Sequence, residues 1–163
     1  MSGRLDFSPS LIVYDFDGVM TDNTALIDER GNEAVFVHRG DGYGVRMIRD
    51  RLKIPQIILS TEENPVVARR AEKLKIPVVH NAGDGKAEIL KVYAREQGYR
   101  MDRIMYIGND LNDYDAMTLC GFRCCPADAE KEIRAIADHI FDSPGGRGVI
   151  RELYRILSEA ENE

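Results

Sequence analysis

Two aspartates, Asp15 and Asp17, stand two residues apart at the end of an apolar run in LIVYDFDGVMTD, residues 11–22. Alternate residues of a strand share one face, so both carboxylates would leave the end of a buried strand on the same side. Like charges that close destabilise each other unless a cation or a shared proton relieves them. An Asp-Gly turn after a strand explains Asp17-Gly18 but not the aspartate before it. Further along stand Ser60 and Thr61, then Lys86, then GNDLND with Asn109, Asp110 and Asp113. This set suits phosphoryl transfer: acids hold a divalent cation against phosphate oxygens, hydroxyl and backbone N–H groups orient them, and a lysine offsets charge at the nucleophile. Aspartate can itself be the nucleophile, forming an acyl-phosphate that water hydrolyses. A second acid two residues on can protonate the leaving oxygen and then activate the water.

The chain must bring these residues together. Four short β-rich runs, LIVYD (11–15), PQIILS (55–60), PVVH (77–80) and RIMYIG (103–108), each end at a polar cluster and precede a segment of helical periodicity. This alternation predicts an α/β fold, a doubly wound, Rossmann-like parallel sheet with helices on both faces. Ligand sites of such sheets gather at the carboxyl ends of the strands near the switch in strand order, where all the residues above are expected. Asn64 and Pro65 predict an N-cap and first position of a helix, and a helix over 86–97 should end at Gly98. Residues 25–38 alternate around a turn at Glu29 to Asn32, predicting a projecting β-hairpin, with a helix beginning near Asp41. FRCC before Pro126 and HIF (139–141) read as late strands. Val149, Ile150, Leu153, Ile156 and Leu157 predict an amphipathic final helix. SPGGRG (143–148), just before it, reads as a flexible connector.

With 163 residues, 44% hydrophobic and 31% charged, the chain is expected to form a single domain over 1–163 with a full core. Its net charge of −6 and lack of basic runs argue against a nucleic-acid partner. No leader-like or membrane-spanning apolar stretch is present, so no membrane partner and a cytoplasmic location are expected. Cys120, Cys124 and Cys125 have no CxxC spacing and read as buried, reduced thiols.

In order and spacing, DFDGVMTD, Ser60, Lys86 and YIGNDLND resemble the haloacid dehalogenase superfamily of phosphatases over essentially the whole chain. The resemblance implies that Asp15 is the nucleophile and Asp17 the general acid/base. Ser60, Thr61 and Lys86 would bind phosphate. Mg²⁺ would be held by the Asp15 carboxylate, the Asp17 carbonyl and the GNDLND loop through Asn109 or Asp110, with Asp113 behind them. The family usually places aspartate where Asn109 stands, and an amide oxygen contributes less charge to a hard cation. Between Asp17 and Ser60, and between Ser60 and Lys86, there is no room for a cap domain. The capless sugar-acid phosphatase branch is therefore the nearest resemblance, with GDGYGVR (40–46), RAEKLK (70–75) and GGRGVIREL (145–153) as further matches. That branch implies a homotetramer whose subunits complete one another's sites. It includes phosphatases of octulosonate 8-phosphate and of nonulosonate 9-phosphates, and a module fused to sialic-acid cytidylyltransferases. Glu62, Arg70 and Lys73 resemble the nonulosonate type and would bind the sugar acid. A KDN or N-acylneuraminate 9-phosphate is thus the expected substrate, with KDO 8-phosphate as the alternative and a non-catalytic assembly module as the alternative of another class. On the second helix, Val67, Ala71 and Leu74 form a core stripe, and Val66, Arg70 and Lys73 share the adjacent face. A phospho-receiver domain fits poorly, because its acceptor lies on a middle strand and its lysine follows the hydroxyl strand near the end of the chain.

Overall fold

The computed structural model describes residues 6–80 and 85–161, so residues 1–5, 81–84 and 162–163 of the expected domain lie outside it. Six strands form one sheet: β1 (Leu11–Tyr14), β4 (Gln56–Ser60), β5 (Val78–His80), β6 (Ile104–Ile107), β7 (Phe122–Cys125) and β8 (His139–Ile140). Their order is β5-β4-β1-β6-β7-β8 and every pairing is parallel. The chain builds outward from β1 to β5, then crosses back to β6 and builds the other way. The switch in strand order therefore falls beside β1, where a crevice opens at the carboxyl edge.

All of LIVY is buried because both faces of the central strand are covered. Ile12 and Tyr14 enter one core with α1 (Arg39–Met47), α2 (Pro65–Leu74) and α6 (Val149–Glu161). Leu11 and Val13 enter the other with α3 (Lys86–Gln97), α4 (Tyr114–Leu119) and α5 (Lys131–Ile136). Each large apolar side chain so covered contributes about 1.5–3 kcal/mol relative to exposure. Two buried polar side chains of β1 and β4 satisfy each other: Tyr14 donates its hydroxyl proton to Gln56 Oε1 at 2.7 Å, and Gln56 Nε2 donates to the Val45 carbonyl at 3.0 Å.

Asn64 caps α2 as expected, accepting from Val66 N at 3.0 Å, and Gly98 ends α3 in the left-handed region. Val67, Ala71 and Leu74 are buried, and so are the five apolar residues picked out on α6. Helix α1 starts at Arg39, slightly before the expected position, and runs into a π-helical turn at Ile48–Leu52 that no pattern announced. Two three-residue 3₁₀ turns and the short α5 were not foreseen either. The hairpin is present as β2 (Leu26–Ile27) and β3 (Glu33–Ala34), extended by a bridge between Thr21 and Val37. Asp28 organises its turn by accepting from Arg30 N and Asn32 N. Cys120, Cys124 and Cys125 are buried free thiols. Residues 143–148, expected as a flexible connector, pack instead against the loop that follows β1, and Gly146 N donates to the Val19 carbonyl at 2.8 Å.

Candidate active site

Asp15 is the first residue beyond β1, and its backbone N–H still donates to Ile107 O at 2.9 Å, which extends the ladder to the site itself. Asp17 lies one turn on. Gly18 follows with φ of +83°, and a side chain there would collide with the Asn109 amide; only glycine lets the two loops close on each other. Ser60, Thr61 and Glu62 leave β4, and Asn109 and Asp110 leave β6. Together with Asn23 and Asn112 these residues line a cavity of about 150 Å³. The sequence pattern had not singled out either asparagine.

Lys86 opens α3 with its ammonium buried beneath Asp15. It donates to Asp15 Oδ1 at 2.7 Å and to Asp113 Oδ1 at 2.8 Å. It does not line the cavity itself, and its direct contacts are with the carboxylates that flank it. Asp113, fully buried, also accepts from Tyr106 OH at 2.7 Å and from Asn109 N at 3.0 Å. Tyr106 was missed, although a tyrosine inside a buried strand signals that its hydroxyl must find a partner. Burial pushes the Asp15 carboxyl well above its usual range, the neighbouring Asp113 adds to this, and Lys86 opposes it. Burial works against the charge on Lys86, but Asp15 and Asp113 outweigh it and raise its pKa. Two carboxyl groups share one ammonium in a dry place, an arrangement that a cation alongside would relieve.

The Asn109 amide turns one terminal atom inward, 2.9 Å from Asp15 Oδ2 and 2.9 Å from Asp17 O. With nitrogen inward, both contacts are hydrogen bonds. With oxygen inward, three oxygens meet and need a cation among them. Neighbouring ligands of an octahedral Mg²⁺ with bonds of 2.0–2.1 Å lie about 2.9 Å apart, so this donor set fits the ion. Among the described residues no three carboxylate, imidazole or thiolate groups converge on a metal position; the set here is one carboxylate, one peptide carbonyl and one amide. Asp110 does not join it. Its Oδ1 accepts from Leu111 N at 2.6 Å and caps the turn Leu111–Asp113, so of the two expected neighbours Asn109 is the one that faces Asp15.

Asp17 is half-buried. Burial raises its carboxyl pKa, the Thr21 hydroxyl opposes this by donating at 3.4 Å, and the charge of Glu33 raises it further, which suits a group that must carry a proton. Ser60 Oγ accepts from Glu62 N at 3.1 Å, leaving its own proton for a ligand oxygen. Glu62 also lines a second cavity of about 230 Å³ under the hairpin, between Glu33, Val35 and Val66. Arg70 and Lys73 line neither. Helix α2 leaves the rim at Pro65 and rises about 1.5 Å per residue, which carries both side chains away from it. Arg70 Nη2 reaches the His38 carbonyl at 3.3 Å, and Lys73 is exposed.

A doubly wound sheet with paired acids, a hydroxyl and a buried lysine at the switch point defines a phosphoryl-transfer protein. Residues 71–153 match the family model of haloacid dehalogenase-like hydrolases. A protein described as a HAD family hydrolase from Streptomyces avermitilis MA-4680 is 45% identical, over 91% of this chain and 84% of its own, with a TM-score of 0.87. The 3-deoxy-D-manno-octulosonate 8-phosphate phosphatase of Haemophilus influenzae is 28% identical over 152 residues, 93% of this chain and 84% of its own. The Moraxella catarrhalis phosphatase of that name, solved with magnesium ion, phosphate ion and KDO, is 27% identical over 94% of this chain and 88% of its own, with a TM-score of 0.88. The chain belongs to the haloacid dehalogenase-like hydrolases. It is a phosphoric monoester hydrolase of the HAD type, and the alternative of a non-catalytic module is set aside.

Proposed function

We propose that the protein removes the terminal phosphate of a 2-keto-3-deoxy sugar acid, with KDO 8-phosphate as the substrate best supported. The observation that carries the chemistry is that the Asn109 amide stands 2.9 Å from both Asp15 Oδ2 and Asp17 O while Lys86 holds the other oxygen of the Asp15 carboxylate at 2.7 Å. A carboxylate oxygen of Asp15 attacks phosphorus while the bond to the sugar oxygen breaks and Asp17 donates a proton to that oxygen. Water then attacks the aspartyl-phosphate, Asp17 takes its proton, and the bond between phosphorus and Asp15 breaks to release phosphate. The Asp15 carboxylate, the Asp17 carbonyl and the Asn109 amide oxygen would hold Mg²⁺, which when bound would neutralise charge on the phosphate oxygens. Ser60 and the backbone at Thr61 orient those oxygens, and Asp113 keeps Lys86 and the Asn109 backbone in place.

The names of the relatives above support the octulosonate substrate. Glu62, which lines both cavities, supports a nonulosonate 9-phosphate as the second reading. Leu26, Ile27 and Phe36 are more than 60% exposed on the hairpin. Such apolar exposure supports burial against neighbouring subunits in a homotetramer, where Arg70 and Lys73 would serve a neighbour's substrate. One domain over 1–163 is supported by the single large sheet, with the hairpin at 24–38 as its flap and 143–160 as its closing element. No described helix is long and apolar enough to cross a membrane, and the free thiols support a reducing, cytoplasmic setting.

The deciding experiment compares turnover of KDO 8-phosphate, KDN 9-phosphate and N-acetylneuraminate 9-phosphate side by side with Mg²⁺, using the wild type and Asp15→Asn. Preference for the first supports the leading reading, and preference for either of the others replaces it with the second. Turnover by Asp15→Asn equal to wild type would remove Asp15 as nucleophile.

A further inference from the structure

The loop that carries Asp17 is clamped between two others. On one side the Asn109 amide lies against Gly18; on the other, residues 143–148 press onto the backbone of Gly18 and Thr21. A Cβ built on Gly145 would stand 2.0 Å from the Gly18 carbonyl oxygen, and one on Gly146 would stand 2.3 Å from the Thr21 carbonyl carbon. These are backbone atoms and cannot yield as the end of a side chain would. Gly146 also has φ of +64° and donates its N–H to the Val19 carbonyl at 2.8 Å.

The pressing loop is itself anchored at several points. Asp128 Oδ1 accepts from Gly145 N at 2.8 Å, and Glu152 accepts from Asp142 N and Ser143 N, each at 2.9 Å. Gly148 N donates to Asp41 Oδ2 at 3.1 Å, and that same carboxylate holds Ile150 N and Arg151 N at the start of α6. A loop tied down by three carboxylates and seated on backbone is built as a brace. What it braces is the peptide next to the one whose carbonyl faces Asn109, and Thr21, whose hydroxyl orients the Asp17 carboxylate.

We infer that Gly145 and Gly146 are positioning residues for the Mg²⁺ site: by allowing backbone-to-backbone contact they hold the Asp17 carbonyl at its 2.9 Å spacing from the Asn109 amide, which also faces Asp15. They touch neither metal nor substrate. Partners behind a metal site commonly change affinity by roughly 10–100-fold when removed, which sets the expected scale.

The test is Mn²⁺ binding followed by electron paramagnetic resonance, with no substrate present, alongside thermal melting in EDTA. Gly145→Ala should weaken Mn²⁺ at least tenfold. Should that variant fail to fold, Asp128→Ala, which removes one exposed anchor of the brace, should weaken Mn²⁺ by a smaller factor in the same direction. Gly98→Ala is the control: it strains a left-handed residue at the far end of α3, so it should lower the melting temperature and leave Mn²⁺ affinity unchanged. Wild-type affinity in both brace variants, or equal weakening in Gly98→Ala, overturns the inference. The inference rests on the metal set proposed above, and a wild type that binds no Mn²⁺ overturns both. Because no substrate is used, the result stands apart from which sugar phosphate is hydrolysed.

Discussion

Replacing Asn109 by aspartate changes one atom at the centre of the site and should lower stability without Mg²⁺ while raising Mg²⁺ affinity. In the metal-free protein the Asn109 amide nitrogen can bridge Asp15 Oδ2 and Asp17 O, both at 2.9 Å. Asn109→Asp removes those two hydrogen bonds, about 1 kcal/mol each, and sets a second carboxylate against Asp15. The added repulsion is capped at pH 7 by the cost of binding one proton, about 4 kcal/mol for a carboxyl with an ordinary pKa near 4. The metal-free protein should therefore lose about 2–6 kcal/mol. At roughly 2–4 °C per kcal/mol for a chain of this size, its melting temperature should fall by at least about 4 °C. The penalty belongs to a carboxyl whose pKa is raised in the folded state, so the deficit should grow from about pH 4 to pH 7 and shrink on acidification. Mg²⁺ must break those two hydrogen bonds in the wild type but not in the variant, and it relieves the added repulsion there, so its affinity should rise by at least about 2 kcal/mol, roughly 30-fold. Thermal melts in EDTA and across a Mg²⁺ titration read both effects. An unchanged melting temperature in EDTA together with an unchanged Mg²⁺ midpoint would show that Asn109 does not face Asp15 and Asp17.

Tyr106→Phe keeps the packing of β6 and removes the 2.7 Å hydrogen bond to Asp113. It should cost about 1.5–3 kcal/mol in denaturant unfolding, and a loss below about 0.5 kcal/mol would mean the bond is absent. Asp17→Asn should lower kcat/KM for a sugar phosphate at least tenfold more than for p-nitrophenyl phosphate, whose leaving group needs no proton; equal losses would remove Asp17 as general acid. Asp138 accepts from the Arg123 side chain at 2.9 and 2.8 Å, and chiefly this contact holds its carboxyl below the ordinary 3.8. A lowered folded pKa gives stability that is present above the unfolded value and lost as pH falls through the folded one. The melting-temperature gap between wild type and Asp138→Asn should thus be open at pH 6 and close below 3.8; a gap that persists in acid would contradict it.

Element type and order were legible because they depend on local periodicity. The runs ending at Asp15, Ser60, His80 and Gly108 alternate with helices whose stripes and caps, Asn64 and Gly98 among them, are written in adjacent residues. The π-helical turn after α1 escaped notice because such a turn needs no distinctive residue and is set by how a helix end seats on its neighbours. Tyr106 was visible as a polar group in need of a partner, yet nothing local named Asp113.

That Asp15, Asp17, Ser60 and Asn109 meet followed from chain order alone, since a doubly wound sheet brings the ends of its strands to one rim. Distances of a few ångströms are another matter, because loop torsions and the seating of one backbone on another set them. Tertiary packing alone turned Asn109 inward and left Asp110 to cap a turn. It sank Lys86 between two carboxylates instead of presenting it to the cavity. It carried Arg70 and Lys73 away from the rim along α2, and it pressed the glycines of the 143–148 loop onto the backbone beside Asp17.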